Sequence, residues 1–169
     1  GVDGDLHEVR ARELADAATR LGVSHVALLD EPDGALGAAG TEALVTAVLR
    51  EADGHAADGI LVFDDNGVTG HPDHVAATRA AVTAARGAGR PVLAWSLPER
   101  VSTALREEFG APFGGRPEAE IDLVVPVDRG AQLEAVAAHP SQAVPGSVLW
   151  RRLDLLGPVE HLRWLRPPA

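Results

Sequence analysis

Short apolar runs alternate along this chain with longer stretches whose apolar residues recur every three or four positions, and that alternation is the strongest constraint on its fold. Val9 to Leu21 has the helical period and stops at Gly22, a fitting residue just past a helix end. Val23 to Leu29 reads as a strand, bounded by the turn Asp30-Glu31-Pro32-Asp33-Gly34. Thr41 to Glu51 is a second helix with Thr41 as its N-cap. Ile60 to Phe63 is apolar on both faces, as a central parallel strand requires. Pro72 to Arg86 is helical, with proline in the first turn, where its missing N–H costs nothing. Pro91 to Ser96 is a strand, Val101 to Phe109 a helix, Gly110 to Pro117 a loop, Ile121 to Val127 a strand and Arg129 to Ala138 a helix. Val148 to Leu165 alternates less cleanly and is expected to form a terminal hairpin or an edge. This order predicts an α/β fold: a doubly wound, mostly parallel sheet with helices on both faces, as a single domain over residues 1–169.

Aromatic residues make up only 4% of the 169 positions, so Ala, Val and Leu must build the core. The net charge of −10 argues against a nucleic-acid partner, which normally meets a basic stripe. All basic residues are Arg, a bias that points to a GC-rich, bacterial genome. With no Cys, disulfides and thiolate metal sites are excluded, so a metal here would need His, Asp or Glu. No apolar stretch approaches the roughly 20 residues of a membrane span and no signal peptide is visible, so no membrane partner and a cytoplasmic location are expected.

The chemistry concentrates in Gly70-His71-Pro72-Asp73-His74, where the run Ile60–Phe63 and the turn Asp64-Asp65-Asn66-Gly67 hand over to the Ala-rich helix. The carboxyl end of a strand and the amino end of a helix direct side chains and N–H groups into a shared crevice. With Pro72 at N1, His71 is the N-cap, and His71 and His74 lie on one side of the first turn. Asp73 is favoured there by the helix dipole and can fix a ring tautomer. A neutral imidazole can ligate zinc, while a second one beside a carboxylate can stabilise an oxyanion or protonate a leaving amine. The plainer alternative is that His71 and Asp73 only cap the helix while His74 packs on a neighbour. His7, His25, His55 and His161 have no acidic or His partner at ligand spacing and read as surface or structural.

The run Asp65 to His74 closely resembles the second signature of the PIG-L/LmbE-type zinc-dependent de-N-acetylases. Upstream, Arg10-Ala11-Arg12-Glu13-Leu14 followed by Leu21-Gly22-Val23 resembles the family's Arg-x-x-Glu-Leu helix and the strand after it, and Asp33-Gly34 stands at its acidic loop. Downstream, Ala138-His139-Pro140-Ser141-Gln142 resembles its late Ala-His-x-Ser/Thr-Gln element. The resemblance implies Zn²⁺ as cofactor with His74 as a ligand, and His71 as the transition-state stabiliser or acid, oriented by Asp73. It implies that Arg10 and Asp33 contact the sugar and that Gln142 lines the pocket. Their plainer alternatives are an exposed helix-surface Arg, a turn-forming Asp and a polar residue after a helix. Thr69 stands where some sugar-thiol members carry Tyr, which weakens a mycothiol-type assignment.

Members of that family open with a strand ending in His-Pro-Asp-Asp-Glu, which supplies a His ligand, an Asp ligand and the general base. No such stretch occurs here, and no Met occurs even at position 1, so a preceding segment is expected in the natural protein. The expected function is metal-dependent hydrolysis of an acetyl or acyl group from an N-acetylglucosamine-type or related small-molecule amide. The alternative is a catalytically incomplete sugar- or metabolite-binding relative. A nucleotide binder ranks last, because neither Gly-x-Gly-x-x-Gly nor a Walker loop follows a strand. Gly114-Gly115-Arg116 invites an anionic substituent, although an exposed Arg is the ordinary reading. Composition leaves a homo-oligomer open.

Overall fold

The computed structural model describes residues 6–29, 31 and 33–168. These divide into two compact units, one formed by the residues up to Leu29 with Pro126–Pro158, the other by the residues from 31 to Val125 with 159–168.

In the first unit, α1 (Leu6–Arg20) packs on α5 (Arg129–Ala137), and α6 (Val148–Leu156) follows in sequence. Buried Ala17, Ala135 and Ala138 form the contact, whose short side chains let helices approach closely. Asp128 caps α5 by accepting the Ala131 N–H at 3.1 Å. Val23 to Leu29 is no strand: Val23, Val26, Leu28 and Leu29 are exposed and extend without regular structure. A strand exists only with a partner for its ladder, and among the described residues this segment has none; β propensity could not supply one.

The second unit holds α2 (Thr41–Gly54), β1 (Ile60–Phe63), α3 (Pro72–Ala88), β2 (Val92–Ser96), α4 (Glu99–Phe109), and the strands β3 (Leu123–Pro126) and β4 (Val159–Arg166). The sheet order is β1-β2-β4-β3. β1 runs parallel to β2 through the right-length α3 crossover, with Ile60 opposite Val92 and Phe63 opposite Trp95. β4 runs antiparallel to β2, so the sheet is mixed rather than mostly parallel. The α/β class holds, but two placements differ from expectation. β1 is an edge strand, with Leu61 65% exposed, not a central one. The chain's last strand is inserted between β2 and β3 rather than forming an edge or hairpin, and α6 occupies the start of that tail.

Val92 and Ala94 of β2, Leu97, and Val101 and Leu105 of α4 are almost wholly buried. Each fully buried Val or Leu contributes on the order of 1.5–3 kcal/mol. The alanines of α3 (Ala80, Ala81, Ala84, Ala85) are also buried, letting that helix lie close to its neighbours. Thr41 is the first residue of α2 and Gly40 its N-cap, a shift of one position without a side-chain cap. No helix among the described residues is long and apolar enough to cross a membrane.

Candidate active site

The loop from Asp64 to His71 is fixed at both ends. At its start, Asp64 is fully buried and accepts hydrogen bonds from Ser96 Oγ at 2.5 Å, Arg116 Nε at 3.1 Å and Nη2 at 2.8 Å, and Arg163 Nε at 3.1 Å. Burial alone pushes a carboxyl up, but the Arg116 and Ser96 hydrogen bonds more than offset it and hold Asp64 down at about 2. Its neighbour Asp65, ion-paired with Arg116 and Arg163, moves the other way, raised by burial first and then by Asp64. Arg116 is therefore no free surface cation; it clamps the end of β1 and also pairs with Glu120 at 3.5 Å.

Farther along, Asn66 Oδ1 accepts the Val68 N–H at 2.8 Å, and Val68 O accepts from Gly114 N at 2.7 Å. Val68 is fully buried at φ +58°, a strained conformation for a β-branched residue and one held by these two bonds. Gly70, at φ +75°, lies so close to the 110–117 loop that a Cβ would come within 2.9 Å of Pro112 Cγ and 3.0 Å of its carbonyl oxygen. Glycine is required there on both counts.

The histidines follow. His71 is the N-cap of α3, as the motif predicts: its Nδ1 accepts the Asp73 N–H at 3.3 Å. In the neutral ring the proton is thus on Nε2, which can act as a donor. His74 is arranged the opposite way. Its Nδ1 lies 3.1 Å from Gly67 O, which can only accept, and 2.8 Å from Thr69 Oγ1. The proton is therefore on Nδ1, and the Nε2 lone pair is available. The ring also stacks on Phe63 at 4.0 Å between centroids, and the His71 ring lies 5.3 Å away.

Asp73 does not bind a ring with its carboxylate. Oδ2 accepts the Gly34 N–H at 2.7 Å and Oδ1 the Leu36 N–H at 3.0 Å. It thereby pins the 33–36 turn against α3 and brings Asp33 to His71: one ligand atom from each of Asp33, His71 and Asp73 lies within 4.8 Å of the others. His74 lies outside that group, and a catalytic zinc usually takes three protein ligands. His74 fits such a ligand in kind, and among the described residues it is not gathered with others in the number a zinc needs.

Arg10 and Gln142 belong to the first unit. There Glu13, buried on α1, accepts Ser141 N at 2.9 Å and Ser141 Oγ at 2.6 Å, with His139 Nδ1 at 3.9 Å. The two Ser141 bonds hold the Glu13 carboxyl below its ordinary range. They also fix the turn in which Gln142 and His139 line a cavity of about 210 Å³ with Val136, Ala143 and Leu149. Arg10 stands one turn before Glu13.

Sequence reasoning gave no site role to Phe63, Asp64 or Arg163, and it named Thr69, Arg116, Glu13 and Ser141 without the contacts they make here, since apart from Thr69 their partners lie far off in sequence. His55 also has the acidic neighbour it was expected to lack, since Glu51 Oε2, one turn earlier, lies 3.9 Å from its Nε2. His161 is buried on β4, and burial first, then Arg100, lowers its pKa; the structural reading holds for it.

Residues 2–85 match the family model described as PIG-L: GlcNAc-PI de-N-acetylase. A 1D-myo-inositol 2-acetamido-2-deoxy-alpha-D-glucopyranoside deacetylase from Salinispora arenicola is 33% identical over an alignment of 95 residues that covers 49% of this chain. The matched stretch spans only 31% of that relative's own length. Among solved structures, a deacetylase triple mutant of the teicoplanin biosynthetic pathway superposes with a TM-score of 0.66 at 21% identity, covering 98% of this chain and 73% of that one. The zinc-inhibited form of teicoplanin deacetylase gives 0.64 at 19% identity, covering 98% and 76%. At such identities the likeness is one of fold.

Proposed function

Since this chain belongs to the PIG-L family, we propose that it serves the zinc-dependent hydrolysis of the N-acetyl group of an N-acetylglucosamine-type or related small-molecule amide. The observation that carries this reading is the opposite tautomers of the two motif imidazoles: His74 offers a lone pair at Nε2, and His71 offers a proton at Nε2. A zinc ion, when bound, supplies an activated water and a polarised carbonyl. His74 would be its imidazole ligand from this chain, held in orientation by Gly67 O, Thr69 and the Phe63 ring. His71 would donate a hydrogen bond from Nε2 to the oxygen on which charge develops, and the proton lost by the attacking water would go to the leaving amine. Asp73 acts through structure, setting the His71 tautomer with its backbone N–H and holding Asp33 beside it with its carboxylate. Asp33, beside His71, binds a sugar hydroxyl; Arg10 and Gln142 of the first unit are sugar contacts on the family resemblance alone, and Glu13 holds the turn that carries Gln142.

The test is acetate release from N-acetylglucosamine-type amides by the protein expressed from its natural gene. His71→Ala should lower kcat by roughly 10²–10⁴-fold with zinc content unchanged; unchanged kcat refutes the role. One observation favours a second reading, a sugar-binding relative without catalysis: His74 is not gathered with further ligands among the described residues. That reading predicts saturable sugar binding with no acetate released and no zinc bound.

A further inference from the structure

On the second unit, α3, β4 and the start of α2 line a cavity of about 580 Å³, with Arg79, Val82, Arg86, Arg163, Trp164 and Asp65 in its wall and neither motif histidine. Three guanidinium groups there face one carboxylate. Arg163 is already committed to Asp64 and Asp65, and Asp65 is shared with Arg116. Arg79 and Arg86 are different: among the described residues neither guanidinium has an acidic or hydrogen-bonding partner. They stand seven positions apart on one face of α3, about 10 Å along the axis, a span two flexible arms can close around one anion. In a chain of net charge −10, carboxylates are plentiful, yet these two cations open into a shared cavity. A guanidinium fork matches a phosphate oxygen pair, and two such forks match the charge of a phosphate dianion better than that of a monocarboxylate. The Trp164 ring and the Val82 and Leu165 side chains give the same cavity an apolar wall for the body of such a ligand.

We propose that this cavity is a binding site for a phosphate-bearing small molecule, held by Arg79 and Arg86 and lined by neither of the motif histidines. Because the proposed hydrolysis uses neither arginine, phosphate occupancy can be tested whether or not the chain releases acetate. The probe is inorganic phosphate, titrated calorimetrically into the chain at constant ionic strength. The expected result is saturation at one site with a dissociation constant on the order of 1 mM, and at least tenfold weaker binding of acetate. Arg79→Ala with Arg86→Ala should weaken phosphate at least tenfold with an unchanged circular dichroism spectrum, since both side chains are exposed. Arg50→Ala, at an arginine paired with Glu51 outside the cavity, should leave binding intact. Failure to saturate, equal binding of acetate, or undiminished phosphate binding by the double variant would each overturn the proposal.

Discussion

Thr69 shows how much of the candidate chemistry rests on single contacts. Its hydroxyl, 2.8 Å from His74 Nδ1, shares with Gly67 O the task of fixing that ring. Thr69→Val keeps the shape and removes the hydroxyl, so zinc affinity should fall by about 10-fold or more, as for other partners of metal-bound imidazoles, with little change in melting temperature. A metal-competition titration reads this, and unchanged affinity would show that Gly67 O alone suffices. Gly70→Ala tests the neighbouring backbone. The added Cβ meets Pro112 and the positive φ is lost, so stability should drop by about 1–3 kcal/mol in urea denaturation. His71 and His74 were legible in the sequence because a cap and a first-turn pair are local properties of five consecutive residues. The role of the Asp73 carboxylate was not, because its partners Gly34 and Leu36 lie 39 and 37 residues away.

Among the elements, helices were read more faithfully than strands, for a physical reason. The period of α3, its Pro72 start and its left-handed Gly89 stop are all written within the segment. A strand needs a neighbour, and neither the unpaired state of Val23 to Leu29 nor the insertion of β4 beside β2 can be read from the segments themselves. The Asp64 clamp ties these elements together, joining the end of β1 to Arg116, 52 residues on, and to Arg163 on β4, 99 residues on. Because the folded Asp64 pKa, about 2, lies below its ordinary value of 3.8, its contribution is fully present above about pH 4 and is lost as pH falls from 4 through 2. The amount at stake is about 2 kcal/mol. Asp64→Asn should lose about 2 kcal/mol at neutral pH, by removing the buried charge that Arg116 and Arg163 share and leaving them the exposed Asp65, and should flatten the stability curve between pH 4 and 2. Urea midpoints across that range check both; a parallel curve in the variant would assign the acid sensitivity elsewhere. In the first unit, Ser141→Ala removes one of the two bonds to Glu13 and should raise KM for the amide more than it lowers kcat.

For the molecule as a whole, family membership and the α/β class were readable from the motif and the alternation of elements, while the mixed strand order and the grouping into two units depend on long-range pairing. Under the proposed function the histidine motif would carry the zinc chemistry, and the hydrogen bonds divide its two rings into one lone-pair donor and one proton donor. That division is the central claim, and zinc content measures it most directly. Elemental analysis of protein expressed from its natural gene should give close to one zinc per chain, His74→Ala should abolish it, and His71→Ala should leave it unchanged. Zinc retained by His74→Ala, or lost equally from both variants, would contradict the claim.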